Sequence, residues 1–136
     1  MTTTAQQSDR GITSPVTLQR VEGLVLLVGG VIGWVVSDYS WWWFAILLLA
    51  PDVSMVGYMI DTKVGAAIYN LGHSLVGPGL LLGWAWLDGP NLALAIGSVW
   101  LAHVGMDRLF GYGLKYEDAF KHTHLGWIGG GKALQS

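Results

Sequence analysis

The chain has 136 residues, of which 52% are hydrophobic and only 12% charged, and its formal net charge is −2. Soluble domains carry about 25% charged residues, so the composition points to a membrane protein and leaves too little polar surface for a soluble helical bundle. The small negative charge gives no basic footprint for nucleic acid, and the lack of cysteine excludes disulfides, thiolate metal sites and cysteine nucleophiles.

Residues 1–15, MTTTAQQSDRGITSP, are polar and show no evident cleavable signal. They are expected to form a disordered or surface-lying tail, with Ser14-Pro15 opening the first helix. Four apolar blocks follow in residues 16–113: Val21–Val36, Trp41–Ile60, Val64–Leu87 and Leu92–Tyr112. A membrane span needs about 20 residues at about 1.5 Å rise each. The first block is the shortest and takes Thr17–Arg20 as an interfacial first turn. Short turn-like connections, SDYS, DTK and DGPN, predict sequential helices packed as antiparallel neighbours. The fold predicted is therefore all-α, an integral membrane bundle of four transmembrane helices, with residues 114–136 as a cytoplasmic tail.

Lys and Arg set the orientation. Arg10 and Arg20 precede the first helix, Lys63 lies between the second and third, and Arg108, Lys115, Lys121 and Lys132 lie at or after the end of the fourth. The loops after the first and third helices hold neither residue. The positive-inside rule then places both termini and the middle loop in the cytoplasm. Trp41, Trp42, Trp43, Trp84 and Trp86 fall at the outer interface, where an aromatic belt belongs. The expected location is the bacterial inner (plasma) membrane, as a multi-pass protein.

Four ionisable residues interrupt the apolar blocks: Asp52, His73, His103 and Asp107. Such groups are costly in lipid and usually face a bundle interior. Counting from the cytoplasmic ends of their helices puts Asp52, His73 and His103 at one level, roughly 12–14 Å deep. His103 and Asp107 are spaced i, i+4 and share a helical face, as do Asn70 and His73 at i, i+3. Pro51, just before Asp52, lacks an N–H and loosens the backbone ladder of the second helix. Two imidazoles and two carboxylates suit Zn, Mn or Fe. The plain alternative is that His103 and Asp107 bond each other as interhelical glue. Arg108 adjoins Asp107, where it either clamps a phosphate or snorkels as an anchor that sets topology. Glu22 is a candidate neutraliser of Arg20 or Arg108.

At PDVSMVGY, YNLGHSLVGP and AHVGMDRLFGYGLKY the chain resembles a small bacterial membrane family known only as a domain of unknown function (number four-two-six-zero). The resemblance runs from about Arg20 to Gly126 and includes FKHTHLG, where His124 either folds back over the cytoplasmic mouth, as the resemblance implies, or belongs to an interfacial segment anchored by Phe120 and Trp127. More distantly, PD, HS and H-x3-D followed by Tyr-Gly resemble LexA-regulated inner-membrane metal-dependent hydrolases, which would make Asp52, His73, His103 and Asp107 metal ligands. That pattern carries a His-Arg pair and a Thr where this chain has Tyr69-Asn70 and Gly72.

The functional expectation is a metal-dependent hydrolase acting on an ester or phosphoester at the inner leaflet. His73, His103 and Asp107 would be ligands, and Asp52 a ligand or general base. Asn70 would orient water or substrate, and Arg108 would meet a phosphate. The alternatives are an accessory subunit of a larger membrane complex, and a subunit binding haem or a chlorophyll-type pigment with His73 and His103 as axial ligands. The expected surroundings are the lipid bilayer, other membrane subunits or a homo-oligomer, and no nucleic acid.

Overall fold

A computed structural model describes residues 12–112, together with the backbone at 122–123 and 126–127. The expectations for residues 1–11 and for His124 lie outside the described residues. The helices are α1 (Pro15–Ser37), α2 (Trp41–Leu48), a 3-10 segment (Ala50–Met59), α3 (Thr62–His73), α4 (Val76–Trp86) and α5 (Asn91–Leu109). A two-residue antiparallel pairing, β1 (His122–Thr123) with β2 (Gly126–Trp127), is the one departure from helix among these elements.

Local chemistry explains where the helices start. Ser14 caps α1 by accepting the Thr17 N–H, and Pro15 occupies the first helical position, where a missing N–H costs nothing. Ser40 caps α2 in the same way, and Asp61 caps α3 by accepting from the Val64 N–H at 2.7 Å. Asp38, with φ of 60°, closes α1 in the left-handed conformation, which its short polar side chain tolerates.

Three stretches are long and apolar enough to cross a membrane: Pro15–Ser37, Trp41–Met59 and Asn91–Leu109. The outward faces of these helices remain apolar, as Val25, Ile32, Ile46 and Leu92 show, and such faces fit a membrane protein. Trp41, Trp42, Trp43, Trp84 and Trp86 are all exposed. They sit at one end of the bundle, because the α4–α5 loop is tied to the end of α1 by Asn91 Nδ2 donating to the Ser37 carbonyl at 2.7 Å.

The third apolar block is not one helix. It is α3 and α4, of 12 and 11 residues, parted at Ser74 and Leu75. Each piece is about 18 Å long or less, short of the roughly 30 Å hydrocarbon core. Pro78 is the cause, since it lacks an N–H for the Ser74 carbonyl and its ring would clash with that carbonyl in a continuous helix. The second block also changes form, from α-helix to 3-10 at Ala50-Pro51.

The most extensive interface joins the first and last helices, α1 and α5, rather than α1 and its sequence neighbour α2. Small residues permit it. A Cβ on Gly30 would lie 2.5 Å from the Ser98 carbonyl oxygen and 2.6 Å from the Ala102 nitrogen, so the backbones approach as closely as glycine allows. α5 is the central element and also packs on α4 and α2, while α3 packs on the 3-10 segment. Trp34, Ala95 and Val99 form a buried cluster, lined by Phe44, Leu47 and Leu48. The result sets α5 against both interrupted segments, and the interruptions lie at the same level as the ionisable residues.

Candidate metal centre

Each interruption releases backbone carbonyls, and side chains of α5 take them up. In a continuous helix the Asp52 N–H would bond the Leu48 carbonyl. The 3-10 geometry sends it to Leu49 instead, at 3.1 Å. The freed Leu48 carbonyl accepts the Nδ1–H of His103. At the second break the Gly72 carbonyl accepts Trp100 Nε1–H at 2.6 Å, and the His73 carbonyl accepts from Arg108 Nη2 at 3.3 Å. Irregular backbone at membrane depth is tolerated where protein satisfies it, and here it is satisfied by groups beside the site.

These bonds fix both imidazoles. His73 Nδ1 donates to the Tyr69 carbonyl at 3.0 Å, one turn back on α3. Ser54 Oγ donates to the Pro51 carbonyl at 2.6 Å and lies 3.4 Å from the same Nδ1, so its lone pair shares that hydrogen. Gly72 makes room for this contact, because a Cβ there would lie 2.9 Å from Ser54 Oγ. Tyr69 also stacks flat on the His73 ring, with centroids 3.8 Å apart and planes 10° from parallel. A carbonyl only accepts, so both Nδ1 atoms carry a hydrogen, and each ring when neutral turns a bare Nε2 inward.

Around those two nitrogens the structure gathers Asp52 and Asp107. The Nε2 atoms are 3.1 Å apart. Asp52 Oδ1 is 3.2 Å from His73 Nε2 and 3.4 Å from His103 Nε2. Asp107 Oδ2 is 3.5 Å and 3.3 Å from the same two atoms. All four donor atoms lie within 4.8 Å of one another. A tetrahedral zinc with bonds of about 2.0–2.1 Å separates its ligand atoms by about 3.3 Å, which the five of the six separations that involve an imidazole bracket. With both rings neutral the four atoms are all acceptors that a cation would draw together, and this His/Asp group could hold a metal ion. Imidazole N–H groups bonded to backbone carbonyls are the usual support for such ligands.

Burial is uneven around the cluster. The His73 and His103 side chains are 3% and 1% exposed, Asp107 16% and Asp52 42%. The imidazoles thus form the floor, and access is from the carboxylate side. Asn70 sits one turn before His73 on α3 and is half-buried. Arg108 is not a snorkelling anchor: it is buried, and its guanidinium reaches inward to the His73 carbonyl. The i, i+4 spacing finds Asp107, but the supporting roles of Leu48, Ser54, Tyr69 and Trp100 are not legible from spacing. Pro51 and Pro78 are the signals for them, since each frees carbonyls about one turn upstream. Glu22 is exposed and makes no ion pair among the described residues.

No curated protein matches the chain, and no solved structure does. The resemblance to LexA-regulated hydrolases gains no support from these comparisons. The profile of the family described as "Domain of unknown function (DUF4260)" matches residues 16–128, and the chain belongs to that family.

Proposed function

We propose that this chain is an intramembrane metal-dependent hydrolase that cleaves an ester or phosphoester at the inner leaflet of the bacterial plasma membrane. The observation that carries the reading is the meeting of four donor atoms within 4.8 Å of one another, with the two imidazoles fixed by backbone carbonyls. Zn suits that spacing best, and Mn and Fe accept the same donor set. The distribution of Lys and Arg supports cytoplasmic termini and hence the inner-leaflet side.

A divalent ion held by His73, His103 and Asp107, with Asp52 beside its open position, would lower the pKa of a water toward about 7 and polarise the ester oxygen. In the hydrolysis, the water oxygen bonds to the acyl carbon or phosphorus and the bond to the ester oxygen breaks. The water's proton ends on the leaving oxygen. Asp52 is the most exposed of the four, which suits it to take that proton and return it. Asn70, on the same face of α3 as His73, would orient the attacking water or the substrate.

A haem or pigment fits poorly. Imidazole nitrogens 3.1 Å apart, with two carboxylates in the same cluster, enclose one small ion and would have to part for a macrocycle. The test is hydrolysis of p-nitrophenyl acetate and p-nitrophenyl phosphate by purified, metal-loaded protein. Activity should vanish with chelator, return with metal, and be absent from Asp107→Asn. Metal-loaded protein inert toward both substrates would remove the hydrolase reading.

A further inference from the structure

Arg108 is 8% exposed and lies at the level of the cluster, next in sequence to Asp107. A guanidinium has five N–H donors, yet among the described residues Arg108 uses one nitrogen, Nη2, for a single bond of 3.3 Å to the His73 carbonyl. Among the described residues no carboxylate lies within ion-pair distance of it, since every such pair joins His73 or His103 to Asp52 or Asp107. A capping role at the helix break would be served by a neutral donor, as Trp100 does for the Gly72 carbonyl one residue earlier. A buried, always-charged group is an expensive substitute.

The local charge count gives it a purpose. Two carboxylates and one divalent ion cancel, and the two imidazoles are neutral. With such an ion bound, Arg108 would be a positive charge that no described carboxylate offsets, at membrane depth, where such charge is costly. We infer that the metal-loaded cluster and Arg108 together bind a phosphoryl group, so that the substrate is a phosphoester rather than a carboxylic ester. One phosphoryl oxygen would meet the metal on the open Asp52 side and others the unused guanidinium donors, for which a planar fork is matched in geometry. This rests on the metal-centre reading above and narrows its substrate class. Phosphate and metal must then favour each other's binding, because the positive charge appears only once the ion is in place.

The experiment titrates inorganic phosphate, and separately phosphatidic acid in phosphatidylcholine mixed micelles, into the zinc-loaded full chain in neutral detergent. Calorimetry follows binding to wild type, Arg108→Gln and Arg108→Lys, with zinc content measured in each. Wild type should bind one phosphoryl group per chain. Arg108→Gln should bind at least about tenfold more weakly, about 1.4 kcal/mol, with Arg108→Lys between. Zinc-free wild type should bind at least about tenfold more weakly as well. Much tighter binding of phosphatidic acid than of inorganic phosphate identifies a lipid headgroup, and equal binding a soluble phosphoester. Zinc-loaded Arg108→Gln binding phosphate as well as wild type would overturn the inference, as would zinc-loaded wild type binding neither probe. Should Arg108→Gln lose its zinc, wild type decides alone: phosphate must raise its zinc affinity, and no such coupling overturns the proposal. Wild type that holds no zinc, manganese or iron sinks the metal-centre reading itself, a distinct result.

Discussion

His103 Nδ1 donates its hydrogen to the carbonyl oxygen of Leu48, a residue 55 positions earlier in the chain. That carbonyl is free because the segment beginning at Ala50-Pro51 winds as 3-10 helix and sends the Asp52 N–H to Leu49. A proline in one helix thereby aims a histidine in another, and the aim turns His103 Nε2 toward Asp52, His73 and Asp107.

Pro51→Ala should let the second block relax toward continuous α-helix, with Asp52 N–H recapturing the Leu48 carbonyl. His103 would lose its orienting bond. Zinc affinity, measured by competition with a chromophoric chelator, should fall about 10- to 100-fold, while helical content by circular dichroism holds or rises. Wild-type affinity in this variant would show that the freed carbonyl does not orient His103.

The flat stack of Tyr69 on His73 makes a second, separable demand. Tyr69→Leu removes the ring that holds the imidazole plane, and zinc affinity should drop about tenfold or more. Tyr69→Phe keeps the ring and should lose less. The order of the two variants in the same competition assay is the readout, and Phe weaker than Leu would be contrary to a stacking role.

Helix packing can be tested away from the site. Gly30→Ala would press a Cβ to 2.5 Å from the Ser98 carbonyl oxygen, and both atoms that crowd it most closely are backbone. Gly29, its neighbour, has open space at the same atom. Gly30→Ala should destabilise the protein by about 1–3 kcal/mol, read as a lower thermal midpoint in detergent. Gly29→Ala should be neutral or slightly stabilising. Equal midpoints for the two variants would contradict the close α1–α5 approach.

Trp100→Phe deletes the donor that satisfies the Gly72 carbonyl while keeping an aromatic ring. Interhelical hydrogen bonds in membranes contribute about 1 kcal/mol, so a loss of that size is expected in chemical unfolding from detergent. Because Gly72 precedes His73, zinc affinity should weaken too. Loss of stability with unaltered zinc binding would separate the helix break from the metal cluster.

Much of this was legible in the sequence. The apolar blocks gave the helical class and the ends of α1 within a few residues, because Ser14-Pro15 and the αL-tolerant Asp38 are local signals. Depth counting brought Asp52, His73 and His103 to one level, and the i, i+4 rule added Asp107. What escaped is non-local. Hydrophobicity alone reads Val64–Leu87 as one helix, since it does not register that Pro78 parts the chain four residues upstream. The α1–α5 pairing follows from glycine and small residues meeting face to face, which loop lengths do not report. Arg108 near the end of the last helix looks like an anchor until the carbonyl it caps is visible.

The most direct test of the central claim is elemental mass spectrometry of detergent-purified protein, prepared without chelators, with wild type beside His103→Ala. The four-donor cluster predicts about one Zn, Mn or Fe per wild-type chain and its loss from the variant. No stoichiometric metal in wild type, or undiminished metal in His103→Ala, would contradict it and return Asp52, His73, His103 and Asp107 to the role of polar glue between helices.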